Sequence, residues 1–139
     1  MIPYGKQTID TDDIDRVVEV LKSDFLTTGP VVDKFEDAVA KYVNAKYAVA
    51  VSSGTAALHA AMYSIGVKEG DEVITTSMTF VATSNSILYS GAKPVFADID
   101  IETMLIDPSK IENKITERTK AIVVVDYAGQ PCNYKQLKG

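Results

Sequence analysis

Residues 121–125, Ala-Ile-Val-Val-Val, are apolar at every position, and this run constrains the fold more than any other stretch. A strand with one face in water alternates apolar and polar residues. A strand buried on both faces is apolar throughout, as in a parallel sheet covered by helices. Strand-like runs at residues 47–51, 72–75 and 94–97 precede it, separated by helix-length segments. We therefore predict an α/β fold with a mostly parallel sheet, flanking helices and right-handed crossovers.

Amphipathic segments supply the predicted helices. The first, over residues 11–22, places apolar side chains on one face, with Thr11 predicted as its N-terminal cap and Asp12 as an acidic residue in its first turn. Gly29 and Pro30 then break the chain, because both residues favour turns. Further helices are predicted over residues 31–43, 55–65, 79–90 and 108–115.

Composition and charge exclude several classes of protein. The chain has 139 residues, 46% hydrophobic and 24% charged, which is a globular balance, and its net charge is −5. That charge, without any cluster of Lys and Arg, argues against nucleic acid or an anionic membrane as a partner. No apolar stretch approaches the roughly 20 residues that span a bilayer. The single cysteine, Cys132, excludes an intrachain disulfide and indicates a reducing, cytoplasmic environment.

The junction at residues 52–57, Ser-Ser-Gly-Thr-Ala-Ala, lies between an apolar run and an Ala-rich helix. A helix that begins there presents unpaired N–H groups and the positive end of its dipole to an anion. Gly54 permits a close backbone approach, and the Ser53 and Thr55 hydroxyls can donate to phosphate oxygens. Such residues also cap helices that bind nothing, so the junction alone leaves both interpretations open. The glycine-rich motifs of dinucleotide and triphosphate sites are absent.

Two further residues follow predicted strands. Phe80 comes after the second run and could cover a planar heterocycle, although a lone Phe is more often part of a core. Asp126 ends the fourth run, where it either faces the ligand crevice at the carboxyl edge of the sheet or begins a turn. Both interpretations remain open for Asp126.

No metal site is predicted. The acidic residues after the third run lack the Gly and the terminal Glu of a calcium loop, so a solvated loop is expected; they are Asp98, Asp100, Glu102 and Asp107. His59 has no Cys or Asp at a ligand spacing and is expected to be a packing or surface residue.

With these pieces placed, the sequence resembles the DegT/StrS family of aminotransferases, which depend on pyridoxal phosphate (PLP) and act on nucleotide-linked keto sugars. The likeness runs in order over nearly the whole chain, which a single short motif could not imitate. The stretches that carry it are residues 24–30, 51–59, 70–74, 79–83, 91–100, 116–122 and 128–131.

The resemblance implies the N-terminal part of a fold type I large domain, like that of aspartate aminotransferase, in a homodimer with active sites at the subunit interface. It implies a PLP-phosphate cradle at Gly54, Thr55 and Ala56, and a ring-stacking role for Phe80. The positions that it places on the substrate side are Tyr4, Asp24, Phe25, Leu26, Thr27, Thr28, Ser53 and Asp126. The stretch at residues 126–129 is similar to enzymes that make the 4-amino sugar precursor of pseudaminic acid.

The implied reaction takes an amino group from glutamate and delivers it to a nucleotide-linked keto sugar. It needs a Schiff-base lysine and a carboxylate that pairs with the pyridinium nitrogen. In the family both come after the region matched here, and no lysine of this chain has the family's sequence context; Lys93 and Lys120 are expected to be solvated charges. We therefore expect residues 1–139 to be an N-terminal segment with a partial PLP-binding domain. The remainder of that domain and the C-terminal small domain would be absent, and the chain alone would be inert and self-associating.

Two alternatives remain. One is a sugar dehydratase of the same family, dependent on PLP or pyridoxamine phosphate, in which histidine replaces the lysine. The other is a non-catalytic binding or assembly module that uses the fold without its chemistry.

Overall fold

The computed structural model describes residues 5–137, which form two compact units that divide after Ala50. The first unit contains α1 (Thr11–Leu21) and α2 (Pro30–Tyr42). The second contains α3 (Gly54–Ser64), β1 (Glu72–Thr76), α4 (Ala82–Tyr89), β2 (Lys93–Ala97), β3 (Thr119–Val123) and α5 (Tyr134–Leu137). None of the described helices combines the length and the apolar character that crossing a bilayer requires.

The N-cap of α1 lies one residue earlier than predicted. Asp10, not Thr11, is the N-cap: the Asp13 amide donates to Asp10 Oδ1 and the Asp10 amide donates to Asp13 Oδ2, each over 3.1 Å. A carboxylate three residues from a second carboxylate forms the reciprocal capping box that satisfies two amides at once. The prediction missed it because Thr11 is itself a common cap.

The helix α2 starts at Pro30, a position where the missing N–H costs nothing. Gly29 precedes it, and a Cβ there would lie 2.7 Å from Phe25 Cβ, so the turn into α2 has room only for glycine. Later in the unit, the Glu36 carboxylate accepts a hydrogen bond of 2.7 Å from the Ala50 amide and ties residues 47–50 to α2.

The predicted strand at residues 47–51 is wrong. The segment has no regular secondary structure, and the exposed fractions of Tyr47 and Val49 are 74% and 79%. Apolar, β-branched residues favour a strand only when another strand pairs with them. No strand within residues 5–137 pairs here.

The other predicted strands form a parallel sheet in the order β2-β1-β3, which confirms the α/β class. Central β1 is buried along its whole length, and Ile74 lies between Val95 and Ile122 of the neighbouring strands. A bulge in β3 opposite the Glu72–Val73 step leaves Lys120 out of the register with β1. The helix predicted over residues 79–90 is shorter, because residues 77–81 form turns before α4.

Apolar side chains cover both faces of the sheet. Val73 packs with Met62 of α3 and Ile87 of α4 on one face, while Ile74 packs with Leu105, Cys132 and their neighbours on the other. Apolar side chains of β3 contact both clusters, but they are only half-buried, and the strand ends at Val123, so the full burial predicted for residues 121–125 is not seen within residues 5–137. The outer edge of β3 has no partner strand in the described part of the chain.

At the amino-terminal end of β1, the buried side chain of Glu72 forms polar contacts with residues of the neighbouring segments. Its carboxylate accepts hydrogen bonds from Lys93 Nζ at 3.2 Å, Arg118 Nη2 at 2.9 Å and Thr116 Oγ1 at 2.8 Å. Lys93, expected to be a solvated charge, therefore forms an ion pair although it is largely exposed. Between β2 and β3, the predicted helix at residues 108–115 is instead two short 3-10 turns, Pro108–Lys110 and Glu112–Lys114.

Candidate cofactor site

A cavity of about 620 Å³ lies between the start of α3 and the segment that follows β1. Its position is the one expected for a ligand in an open α/β sheet, beyond the carboxyl end of a strand. Three predicted cofactor residues, Gly54, Thr55 and Phe80, line it together. The other lining residues are Ala57, Leu58, Ala61, Ala82 and Thr83.

The first turn of α3 offers free amides to this cavity. Ser53 is the N-cap, and its Oγ accepts from the Ala56 amide at 3.1 Å. Its carbonyl accepts from the Ala57 amide at 3.0 Å. Within residues 5–137 the Gly54 and Thr55 amides have no acceptor. The junction therefore caps the helix, as one interpretation held, and still leaves two donors for an anion, as the other required.

The space beside Gly54 is open and could hold a bound group. A Cβ built on Gly54 would meet no atom within 4 Å, so the backbone there faces open volume and not packed protein. Glycine at this position is not needed for packing within the described chain. What it provides is an uncovered amide at the positive end of a helix of 11 residues.

Phe80 is held by its backbone and leaves its ring free. The Met78 amide donates to Thr76 Oγ1 at 3.1 Å, and the Thr83 amide donates to the Phe80 carbonyl at 3.0 Å. The Thr79 and Thr83 hydroxyls are 2.7 Å apart, which closes the turn. The Phe80 side chain is 77% exposed, so it is not the core residue that a lone Phe usually is.

Asp126 bonds back into its own loop. Its Oδ1 accepts from the Cys132 amide at 2.8 Å, and the Tyr134 hydroxyl lies 2.9 Å from both carboxylate oxygens. Two hydrogen bonds lower the pKa of Asp126 below its ordinary value, and the bond from the Cys132 amide has a larger effect than the bond from the Tyr134 hydroxyl. The same contact raises the pKa of Tyr134. Asp126 does not line the cavity, and its substrate role stays a prediction.

The remaining substrate predictions fall mainly in the first unit. Tyr4 lies outside the described residues. Phe25, Leu26 and Thr28 line a separate cavity of about 290 Å³ inside that unit, beside the end of α1 and the start of α2. Asp24 and Thr27 are exposed neighbours in the same turn, and Thr28 has a positive φ of 49°. Ser53 belongs to the second unit, where it caps α3.

One face of α3 lines the main cavity. Gly54, Ala57, Leu58 and Ala61 follow the i, i+3, i+4, i+7 spacing of that face. Gly54 was predicted as a cofactor residue, whereas sequence reasoning missed Ala61, although the same spacing could have found it.

Other polar candidates have local roles. Asp100 Oδ1 accepts from the Glu102 and Thr103 amides, and Asp107 Oδ1 accepts from the Ser109 amide, so these carboxylates hold the acidic loop. His59 stacks edge-on against Tyr89, with ring centroids 5.6 Å apart, at the surface. Among the described residues no His, Cys, Asp and Glu side chains are grouped to hold a metal, and no lysine lines the cavity.

Sequence comparison identifies relatives of this chain. The profile of the DegT/DnrJ/EryC1/StrS aminotransferase family matches residues 7–139. SpsC of Bacillus subtilis, a spore coat polysaccharide biosynthesis protein, is 49% identical over 132 residues, which cover 95% of this chain and 34% of SpsC. The UDP-4-amino-4-deoxy-L-arabinose–oxoglutarate aminotransferase of Shewanella sediminis is 45% identical over 128 residues, 92% of this chain and 33% of that enzyme. The chain thus spans about a third of the length of these curated relatives.

Comparison with solved structures identifies proteins of the same kind as the sequence relatives. The PLP form of the sugar aminotransferase Spr1654 from Streptococcus pneumoniae superposes with a TM-score of 0.94 at 37% identity, over 99% of this chain and 35% of that one. PseC of Helicobacter pylori, an aminotransferase of pseudoaminic acid biosynthesis, has a TM-score of 0.92 at 39% identity, over 98% and 37%. A GDP-4-keto-6-deoxymannose-3-dehydratase has a TM-score of 0.91 at 32% identity, over 98% and 37%. Because the profile spans almost the whole sequence, this chain belongs to the DegT/DnrJ/EryC1/StrS aminotransferase family.

Proposed function

We propose that this chain is the N-terminal part of a PLP-dependent aminotransferase that moves an amino group from glutamate to a nucleotide-linked keto sugar. The observation that carries the proposal is the cavity where two free helix amides and an exposed aromatic ring meet. Relatives named as sugar aminotransferases, one of them crystallised in its PLP form, support the cofactor and the substrate class.

The four predicted cofactor residues each have a task toward the cofactor. The Gly54 and Thr55 amides donate to the phosphate, whose charge the α3 dipole favours, and the Thr55 hydroxyl adds a further donor. The Ala56 amide acts indirectly, because its bond to Ser53 Oγ shapes the turn. Phe80 covers one face of the ring. PLP itself supplies an electron sink for the electrons released at the amino-bearing carbon.

The catalytic lysine and the carboxylate for the ring nitrogen are proposed to come from sequence outside this chain. The same holds for the remaining walls of the site, including the partner subunit of a homodimer. Exposed apolar side chains on α3 and α4, among them Tyr63 at 81% and Leu88 at 54%, support self-association. We place the enzyme in the cytoplasm, and its sugar-nucleotide side at Tyr4, residues 24–28 and Ser53.

The full-length protein tests this proposal. Incubated with PLP, glutamate and a UDP-linked 4-keto sugar, it is expected to yield equal amounts of 2-oxoglutarate and amino sugar, measured by mass spectrometry. A deoxygenated sugar that gains no nitrogen would establish the dehydratase alternative, which the similarity to the 3-dehydratase keeps in view. Bound PLP without turnover of several nucleotide-linked keto sugars would favour the non-catalytic module.

A matched pair of variants tests the cradle separately. Thr55→Val removes a hydroxyl that lines the cavity, and Ser64→Ala removes one at the other end of α3, where Oγ donates to the Ala61 carbonyl. Because hydrogen bonds to a charged group are among the stronger ones, Thr55→Val should weaken binding of pyridoxamine phosphate about tenfold. Ser64→Ala should leave binding unchanged, and equal effects of the two would contradict the cradle.

A further inference from the structure

The loop after β3 is closed by side-chain hydrogen bonds at both ends. Asp126 follows the strand, and its carboxylate contacts the Cys132 amide and the Tyr134 hydroxyl on the far side of the loop. Cys132 is buried against the Ile74 cluster, and its thiol donates to the Val125 carbonyl at 3.3 Å. The loop is therefore anchored in the core at one end and to the strand at the other.

The tip of this loop has a strained, defined shape. Ala128 has a φ of 54° and Gly129 a φ of 82°, and the Gly129 amide donates to the Asp126 carbonyl. A left-handed alanine is sterically unfavourable, so such a turn persists only where its surroundings hold it. Tyr127, next to it, is 41% exposed.

The loop lies at the carboxyl edge of the sheet. β3 is the parallel neighbour of β1, so Asp126 leaves the sheet at the same edge as the segment that carries Phe80. Residues at this edge contact ligands in open α/β sheets. Both oxygens of Asp126 are already engaged, whereas the tip at residues 127–130 is exposed.

We propose that Asp126, Cys132 and Tyr134 form a loop clamp that holds residues 127–130 at the carboxyl edge of the sheet, where they contact the sugar-nucleotide substrate. Tyr134 is then a positioning residue, and Asp126 acts through the loop and not by touching the substrate. This inference rests on the proposed function and assigns to the same site a residue, Tyr134, that sequence analysis did not single out. A hydroxyl that contacts both oxygens of one carboxylate fixes its orientation, so removing either partner should loosen the tip.

The test compares three variants of the full-length enzyme by steady-state kinetics with glutamate and a UDP-linked 4-keto sugar. Asp126→Ala and Tyr134→Phe break the clamp and are expected to raise KM for the sugar about three- to tenfold with little change in kcat. Asp126→Asn keeps an oxygen that can accept both bonds and should stay close to wild type. Tyr89→Phe, at the surface beside His59, is the control.

The opposite pattern would overturn the clamp. If Asp126 touched the substrate with its charge, Asp126→Asn would be as damaging as Asp126→Ala, and Tyr134→Phe would resemble wild type. Hydrogen exchange gives a readout without turnover: the Cys132 amide should exchange at least about tenfold faster in Asp126→Ala than in Asp126→Asn. Equal exchange rates would refute the clamp. An enzyme that transfers no amino group, with the exchange difference intact, would refute the proposed function and leave the clamp standing.

Discussion

Replacing Phe80 by Ala should separate cofactor binding from folding. An aromatic side chain presents about 150–250 Å², so an exposed fraction of 77% leaves roughly 150 Å² open, of which a planar ligand on one ring face covers about 50 Å². At about 25 cal/mol per Å² this area contributes about 1.2 kcal/mol. Stacking adds about 0.5–1.5 kcal/mol. The total of about 1.7–2.7 kcal/mol predicts that Phe80→Ala weakens ligand binding about 20- to 100-fold.

The assay is calorimetric titration of the full-length protein with pyridoxamine phosphate, which is held without a covalent bond. Phe80→Tyr keeps the ring and should bind nearly as well as wild type. Tyr47→Ala is the control, since Tyr47 has a similar exposed fraction of 74% but does not line the cavity. The thermal midpoints should remain within a few degrees of wild type. A change in affinity below about threefold for Phe80→Ala would refute the stacking role.

Three further predictions concern the second unit. The Thr116 hydroxyl and the two cations lower the pKa of Glu72 below its ordinary value of 4.5, so its contribution to stability is complete above that pH and is lost as the pH falls through the lower pKa of the folded protein. Glu72→Gln should therefore flatten the acid limb of the urea midpoint plotted against pH. Ile74→Ala, in the fully buried strand, should lower the free energy of unfolding by about 2–5 kcal/mol in urea titrations. Gly91→Ala, where φ is +78°, should cost more than the roughly 1–2 kcal/mol of the left-handed backbone alone, because a Cβ would lie 3.3 Å from the Glu69 amide nitrogen.

Two of these predictions have a control variant, and the third has a contrary outcome. Gly66→Ala shares the positive φ, at +73°, but meets no atom within 4 Å, so a loss equal to that of Gly91→Ala would argue against the contact with Glu69. Ile101→Ala, at a 73% exposed side chain, should change stability by less than about 0.5 kcal/mol. An unchanged pH profile in Glu72→Gln would show that other carboxylates control acid unfolding.

The sequence predicted what periodicity and strand-edge chemistry determine. The parallel sheet and α3 follow from the order of apolar runs, whereas the cofactor roles of Gly54, Thr55 and Phe80 were implied by the family resemblance. The segment at residues 47–51 was mispredicted because its β propensity needs a pairing strand that residues 5–137 do not contain.

Long-range polar contacts could not be predicted from the sequence. Nothing local marks Glu72 as the meeting point of side chains that are 21 and 46 residues away. Asp126 looked equally suited to a turn or a crevice, and only the placement of Tyr134 eight residues later shows how its oxygens are used. The pattern of apolar residues in a sequence indicates which faces are buried. A hydrogen bond depends instead on interatomic distances that the whole fold determines.

The contacts of Glu72 with Lys93 and Arg118 also have a consequence for folding during synthesis on the ribosome. β1 emerges first but occupies the middle of the sheet, so both of its edges wait for later strands. Lys93 arrives 21 residues after Glu72 and Arg118 arrives 46 residues after it, one with each neighbouring strand. At about 5–20 residues per second, the second edge stays open for roughly 1–5 seconds longer than the first. During that interval a chaperone or another nascent chain could pair with the open edge of β1. Once Arg118 and β3 have been synthesised, β3 covers that edge.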